Sequence, residues 1–298
     1  MKQWVVLSGK GGTGKTTVAA ALAHLASQER RLVMADADVD AANLELLLAP
    51  IIQEAHEFSG GMVAAIDASR CTGCGACRVA CRFDAIVQDG DVCRVAAIAC
   101  EGCAACSYVC PAGAVTMSDR PNGQWFRSET ALGPLCHARL FAGQENSGKL
   151  VVQVKQCARL LATERGADLL LVDGPPGIGC PVIATMTGAD LALLVVEPGV
   201  SGFHDLERIL AATRHFRVPA VACLNKADIS PAHTSEVEAL CAAEGVPVVG
   251  HIPFDMVVTE AMVQRRPVTA YCQGPVSQAL RALWHTLQGR PEGMEGQL

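Results

Sequence analysis

From Val5 the chain reads VVLSGKGGTGKTT, ending at Thr17. An apolar, β-branched run gives way to glycines, and the glycines to a stretch of good helix formers. Residues 9–16 fit G-x-x-x-x-G-K-[ST], and they do so between a strand and a helix, the context in which that pattern carries meaning. Glycines there let successive backbone N–H groups turn inward on phosphate oxygens. The helix N-terminus adds the positive end of its dipole. Gly9, Lys10, Gly11, Gly12, Thr13, Gly14, Lys15, Thr16 and Thr17 are therefore the candidate nucleotide-binding residues. Lys15 is expected to reach the β- and γ-phosphates, and Thr16 to ligate Mg²⁺. Lys10, a second lysine early in the loop, is an addition that phosphate binding alone does not require.

The remainder alternates in the same way. RLVMAD (31–36), DLLLVD (168–173), DLALLVVE (190–197), PAVACLN (219–225) and PVVGHI (247–252) read as strands. Their continuous apolar character suits a parallel sheet buried on both faces. Helices are expected over 15–27, 41–48, 149–166, 202–216, 231–245, near 255–265, and over 275–288. The fold class is α/β: a doubly wound, mostly parallel P-loop sheet. A chain half apolar but only 4% aromatic fits helices packed closely on such a sheet.

Cysteine breaks the alternation. Eight of the fifteen cysteines fall in two runs, Cys71, Cys74, Cys77, Cys81 and Cys100, Cys103, Cys106, Cys110, and the second run repeats the first 29 residues later. Each is a C-x2-C-x2-C-x3-C pattern, and Pro111 completes the second in the bacterial ferredoxin manner. Three closely spaced thiolates wrap one [4Fe-4S] cubane and the fourth reaches the other. The first cluster is thus assigned Cys71, Cys74, Cys77 and Cys110, and the second Cys81, Cys100, Cys103 and Cys106. Zinc, which takes four ligands per site in paired C-x2-C units, is the competing reading. Arg82 stands where a proline would follow Cys81. Cys93, on an expected hairpin strand between the runs, reads as structural, as do most of the scattered cysteines. Cys180 and the Cys136–His137 pair are further possible metal ligands, with packing the preferred reading. SGG at 59–61 and PNG at 121–123 read as chain breaks. They divide the chain into a first ATPase part (1–59), an inserted ferredoxin domain (60–120) and a second ATPase part (121–298).

Net charge is −6 with no basic block, which argues against nucleic acid as a partner. No apolar run approaches the roughly 18–20 residues of a membrane span. MKQWVVLSGKGG does not read as a targeting segment. The tail GRPEGMEGQL is polar and acidic, without an amphipathic membrane-binding pattern. The expectation is a cytoplasmic protein.

Taken together, KGGTGKT, MADADVDAANL (34–44), LLLVDGPPGIG (169–179), LNKAD (224–228) and IPFDMVVTEAMVQRRPV (252–268) resemble the MinD/Mrp/nitrogenase-iron-protein superfamily of P-loop ATPases with a deviant Walker A loop. With the cysteine runs, they resemble its members that carry an inserted ferredoxin domain. The resemblance implies ATP/ADP with Mg²⁺ and slow hydrolysis in the absence of a partner. It implies a homodimer, or a heterodimer with a paralogue, across the nucleotide site. There Lys10 would reach the partner's nucleotide, as an arginine finger does. It also implies that Asp38 orients the attacking water, that Asp36 supports the metal site with Asn43 nearby, and that Asp173 serves Mg²⁺ as a Walker B-like position. Asn225, Lys226 and Asp228 form the base-reading loop. The function it favours is ATP-gated electron delivery to a redox or metal-cluster partner protein. Cluster assembly or delivery, and nucleotide-switched positioning with redox-sensing clusters, are the alternatives.

Overall fold

A computed structural model describes residues 1–141 and 147–289; the acidic tail lies outside them. The strands are β1 (Lys2–Ser8), β2 (Leu32–Asp36), β3 (Ile51–Ile66), β4 (Ile86–Asp89), β5 (Val92–Val95), β6 (Val115–Thr130), β7 (Gly133–Leu140), β8 (Leu169–Pro176), β9 (Leu191–Val196), β10 (Ala220–Asn225) and β11 (Val248–Ile252). The helices are α1 (Lys15–Ser27), α2 (Leu44–Leu48), α3 (Ala76–Ala80), α4 (Ala105–Tyr108), α5 (Ser147–Glu164), α6 (Cys180–Met186), α7 (Val200–His215), α8 (Pro231–Ala243), α9 (Val257–Val263), α10 (Val268–Tyr271) and α11 (Pro275–Gln288). Among the described residues no helix is long and apolar enough to cross a membrane.

The main sheet runs β11-β10-β9-β1-β8-β2-β7-β6-β3. It is parallel from β11 to β7. This is an α/β P-loop architecture. β1 lies between β8 and β9, where the winding direction reverses, and ligands bind such sheets at the carboxyl ends of strands beside that point. Register brings the polar strand ends together there. Asp36 on β2 lies opposite Asp173 on β8, which in turn lies opposite Val6 on β1.

The core explains why the central elements form. Val5, Val6 and Leu7 of β1 are buried, as a strand covered on both faces requires. Ala19, Ala20, Ala21, Ala23 and Ala26 are fully buried on α1, so that small side chains let the helix approach the sheet closely. Trp4 meets Trp284 of α11 edge to face, with centroids 5.7 Å apart, and the Arg30 guanidinium lies 5.6 Å from the Trp284 ring.

The chain forms two compact units. One comprises Met1–Ala55, Trp125–Arg139 and the chain from Ser147; the other comprises His56–Gln124 with the short segment that begins at Leu140. The second unit contains α3, α4 and the antiparallel hairpin of β4 and β5.

Two expectations need correction. The SGG and PNG triplets are not breaks, because both lie inside sixteen-residue strands, β3 and β6. Gly60 N donates to Asn122 Oδ1 at 2.9 Å, and Phe141 N donates to Asn122 O at 2.7 Å. A side-chain amide thus completes strand pairing where local preference favours a turn. β3, β6 and β7 add three strands that periodicity does not reveal.

Candidate functional site

The loop between β1 and α1 is shaped by glycine and braced from outside. Gly12 and Gly14 have φ of +80° and +88°. At Gly14 an added Cβ would also come within 2.2 Å of Asn225 Nδ2, so the position needs glycine on two counts. Asn225 Nδ2 donates to Thr13 O at 2.7 Å. Lys226 Nζ donates to Gly12 O at 3.3 Å and to Glu197 Oε2 at 2.7 Å. Asp228 faces elsewhere, with its Oδ1 accepting from Phe254 N at 2.7 Å. Lys10 Nζ donates to Ser201 Oγ at 2.7 Å, beside a cavity that also touches Gly9, Thr13 and Asp205.

Behind the loop stand one buried cation and three carboxylates. Lys15 Nζ donates to Asp173 Oδ1 at 2.7 Å and lies 3.5 Å from Asp38 Oδ2 and 3.4 Å from Thr16 Oγ1. Burial pulls the Lys15 pKa down, but Asp173, Asp38 and Asp36 together carry it above its ordinary value. Asp36 is fully buried; that burial, with Asp173 beside it, pushes its carboxyl well above the usual range. Its oxygens accept from Asp38 N at 3.2 Å and Leu44 N at 2.9 Å. Asp36 therefore also ties the aspartate segment to the start of α2. Two buried polar atoms, Asp173 Oδ2 and Thr13 Oγ1, have no hydrogen-bond partner. Burying such atoms is costly unless something else satisfies them.

Several contributors have no motif. Glu197 and Ser201 hold Lys226 and Lys10. Lys155 of α5 is buried and donates to the carbonyls of Ala184, Thr185 and Thr187 at 2.6–2.8 Å, capping α6 behind the 174–179 loop. Burial lowers its pKa to about 8.

In the cysteine unit the thiols surround two cavities. Cys71, Cys74, Cys77 and Cys110 line one, joined by Cys93. Cys81, Cys100, Cys103 and Cys106 line the other. The loops repeat each other: Gly73 and Gly102 have φ of +64° and +65°, and Gly75 and Ala104 have +73° and +63°. Backbone amides point at sulfur, with Cys93 N to Cys71 Sγ at 3.4 Å, Ala64 N to Cys100 Sγ at 3.5 Å and Ala114 N to Cys110 Sγ at 3.3 Å. The amides of Cys93 and Gly73 lower the Cys71 pKa. Burial, then Cys93, raises that of Cys77 to about 11. Among the described residues no three His, Cys, Asp or Glu side chains converge on a position for a single metal ion.

Cys136 and His137, adjacent on β7, point to opposite faces. Cys136 Sγ lies 2.7 Å from Cys157 Sγ, and His137 sits between Ser128 Oγ and Glu45 Oε2 at 2.9 and 2.8 Å. Cys180 is exposed at the start of α6.

Residues 4–268 match the CobQ/CobB/MinD/ParA nucleotide binding domain. The chain is similar to an uncharacterized protein of Methanocaldococcus jannaschii, 31% identical over 291 residues and 95% of each chain. It is also similar to an uncharacterized ATP-binding protein of that organism, 26% identical over 95% of this chain and 86% of the relative. Among solved structures, the septum site-determining protein MinD complexed with Mg-ADP from Pyrococcus horikoshii aligns with a TM-score of 0.56 at 18% identity, covering 97% of this chain and 96% of that one. The MinD cell division protein of Aquifex aeolicus gives 0.55 at 19% identity, covering 99% and 100%. At such identity the likeness speaks for the fold.

Proposed function

Because the chain belongs to the CobQ/CobB/MinD/ParA nucleotide binding domain family, we propose that it binds and hydrolyses ATP and couples the nucleotide state of a dimer to two [4Fe-4S] groups. Through them it delivers electrons to a partner protein that carries a metal cluster. A relative named as ATP-binding and a structural neighbour holding Mg-ADP support the nucleotide. The partnerless Asp173 Oδ2 and Thr13 Oγ1 fit a site completed by Mg²⁺-bound water and phosphate.

In this reading the amides of residues 9–16 and Lys15 hold the β- and γ-phosphates, and Thr16 with Asp173 and Asp36 serves Mg²⁺. Asp38 orients the attacking water. Phosphate oxygens offer Lys15 a second set of anions, so nucleotide binding competes with its contacts to Asp173 and Asp38 and loosens the aspartate segment. Lys10, whose ammonium donates to the Ser201 hydroxyl, serves a partner's nucleotide in a homodimer or in a pair with a paralogue. Asn225 and Lys226 brace the loop as well as lying near the base.

The observation that carries the iron–sulfur part is the pairing of thiols. Each cavity is walled by three cysteines of one run and the last cysteine of the other. A multi-atom group bridged by four thiolates suits thiols spread around a cavity, and amides aimed at sulfur suit thiolates. The four cysteines of each set would hold one group, which supplies one-electron transfer. Residues 60–120 then form a ferredoxin-type domain between ATPase parts 1–59 and 121–298. Fifteen cysteines, none of them in a disulfide, suit the reducing cytoplasm.

The test is an anaerobic redox titration followed by EPR, first with MgATP and then with MgADP. A shift of ~30–60 mV between the two supports coupling. Identical potentials overturn it and leave a fixed electron store. A purified chain without iron overturns the iron–sulfur reading itself.

A further inference from the structure

The two cavities correspond residue by residue through the 29-residue repeat. Cys71, Cys74 and Cys77 match Cys100, Cys103 and Cys106, and Cys110 matches Cys81. The backbone obeys the same relation: Cys93 N donates to Cys71 Sγ at 3.4 Å, and Ala64 N donates to Cys100 Sγ at 3.5 Å. Cys93 and Ala64 are therefore equivalent positions. Both are buried, at 3% and 4% exposure, and both line their cavity. One carries a thiol where the other carries a methyl group.

We propose that Cys93 makes the two centres unequal: its S–H donates to the sulfurs of the first, which is thereby the more easily reduced and holds a single added electron. The proposal rests on the iron–sulfur reading of the cavities. Cys93 and Cys77 are buried in one core cluster and line the same cavity, with Cys71, Cys74 and Cys110. A thiolate bound to iron has no proton and can only accept, so in any hydrogen bond between Cys93 and the sulfurs of this cavity Cys93 is the donor. Reduction adds one electron and moves no atom. The added negative charge spreads onto the sulfurs, and a donor beside them stabilises the reduced form. Hydrogen bonds to sulfur and solvent exposure are the levers that set such potentials. The competing acceptor is Gln88 Oε1, 3.5 Å from Cys93 Sγ, on an exposed side chain that water also satisfies. A second difference acts in the same direction. The Phe83 ring lines the second cavity where Ala112 stands in the first, and an apolar wall disfavours added charge.

The experiment is an EPR-monitored dithionite titration of the iron-loaded full chain, with Cys93→Ala, Cys93→Ser and the mirror variant Ala64→Cys. The unaltered chain should reduce in two steps. Cys93→Ala should lower the higher potential by a tenfold change in its reduction equilibrium, ~59 mV for one electron, and leave the lower potential and the iron content alone. Cys93→Ser keeps an O–H donor and should restore most of the shift. Ala64→Cys should raise the lower potential, and it decides the matter if Cys93→Ala fails to load iron. Full iron with both potentials unmoved, or a shift in the lower one after Cys93→Ala, overturns the proposal while the iron–sulfur reading stands. A chain that binds no iron overturns both.

Discussion

The two units keep their polar atoms in opposite ways. Around the phosphate loop the charges satisfy each other: Lys15 lies among Asp36, Asp38 and Asp173, and strands β1, β2 and β8 behind them are buried in hydrocarbon. In the cysteine unit the interior is itself made of donor atoms. Of the six residues buried in its core cluster, Ala64, Cys77, Ile86, Cys93, Cys106 and Val115, three are cysteines. A hydrophobic core of that size stabilises little by itself, and small units of this kind depend on staples or metal. The first unit is shaped by its own side chains; on the iron–sulfur reading, the second is shaped by what its thiols would hold.

On the iron–sulfur reading, iron removal is the most severe test of that contrast. Anaerobic chelation should unfold residues 56–124, seen as rapid proteolysis within that stretch, while binding of a fluorescent nucleotide changes by less than about threefold. Continued protection of 56–124 without iron would break the contrast. Next in size is Lys15→Met. It should abolish nucleotide binding and also cost the free chain roughly 3–5 kcal/mol, because it leaves buried carboxylates without a counter-charge. Iron content should not change. A urea midpoint equal to that of the unaltered chain would mean that protonated Asp36 and its amide donors hold the site without the cation. Gly14→Ala should cost about 1–2 kcal/mol for a left-handed alanine, and it should also push Asn225 off Thr13. The readout is nucleotide affinity set against the same change in Asn225→Ala; additive losses would show that the two positions are not coupled.

Sequence revealed these regions unevenly for physical reasons. β1, α1 and the parallel strands announce themselves because burial on both faces leaves an unbroken apolar run. The cysteine runs are legible because ligand spacing is a local property. β3 is not: Ile51 to Glu57 are all exposed, so no alternation marks the strand, and Asn122 holds Gly60 in the sheet from 62 residues away. Glu197, Ser201 and Lys155 serve the nucleotide site through contacts that exist only after folding. Cys93 lies between. It reads as structural by position, yet the same 29-residue step that pairs Cys71 with Cys100 pairs Ala64 with Cys93.

The smallest expected effect completes the contrast, because it concerns an ion pair with better geometry than that of Lys15. Arg31 is bidentate to Asp168, with Nη2 to Oδ1 at 3.0 Å and Nε to Oδ2 at 3.2 Å. The Asp168 carboxylate lies below its usual pKa, first because it accepts from the Arg31 side chain. Yet the two side chains are 69% and 47% exposed. Water competes for both partners, and the rotamers frozen by the pair offset much of its attraction. The backbone here stays fixed without the side chain, since Asp168 N donates to Arg31 O at 2.8 Å. Arg31→Ala should therefore leave the urea midpoint, nucleotide affinity and iron content within error. A loss approaching that of Lys15→Met would mean that burial is not what separates these pairs, and that charge pairing at the rim carries the nucleotide unit.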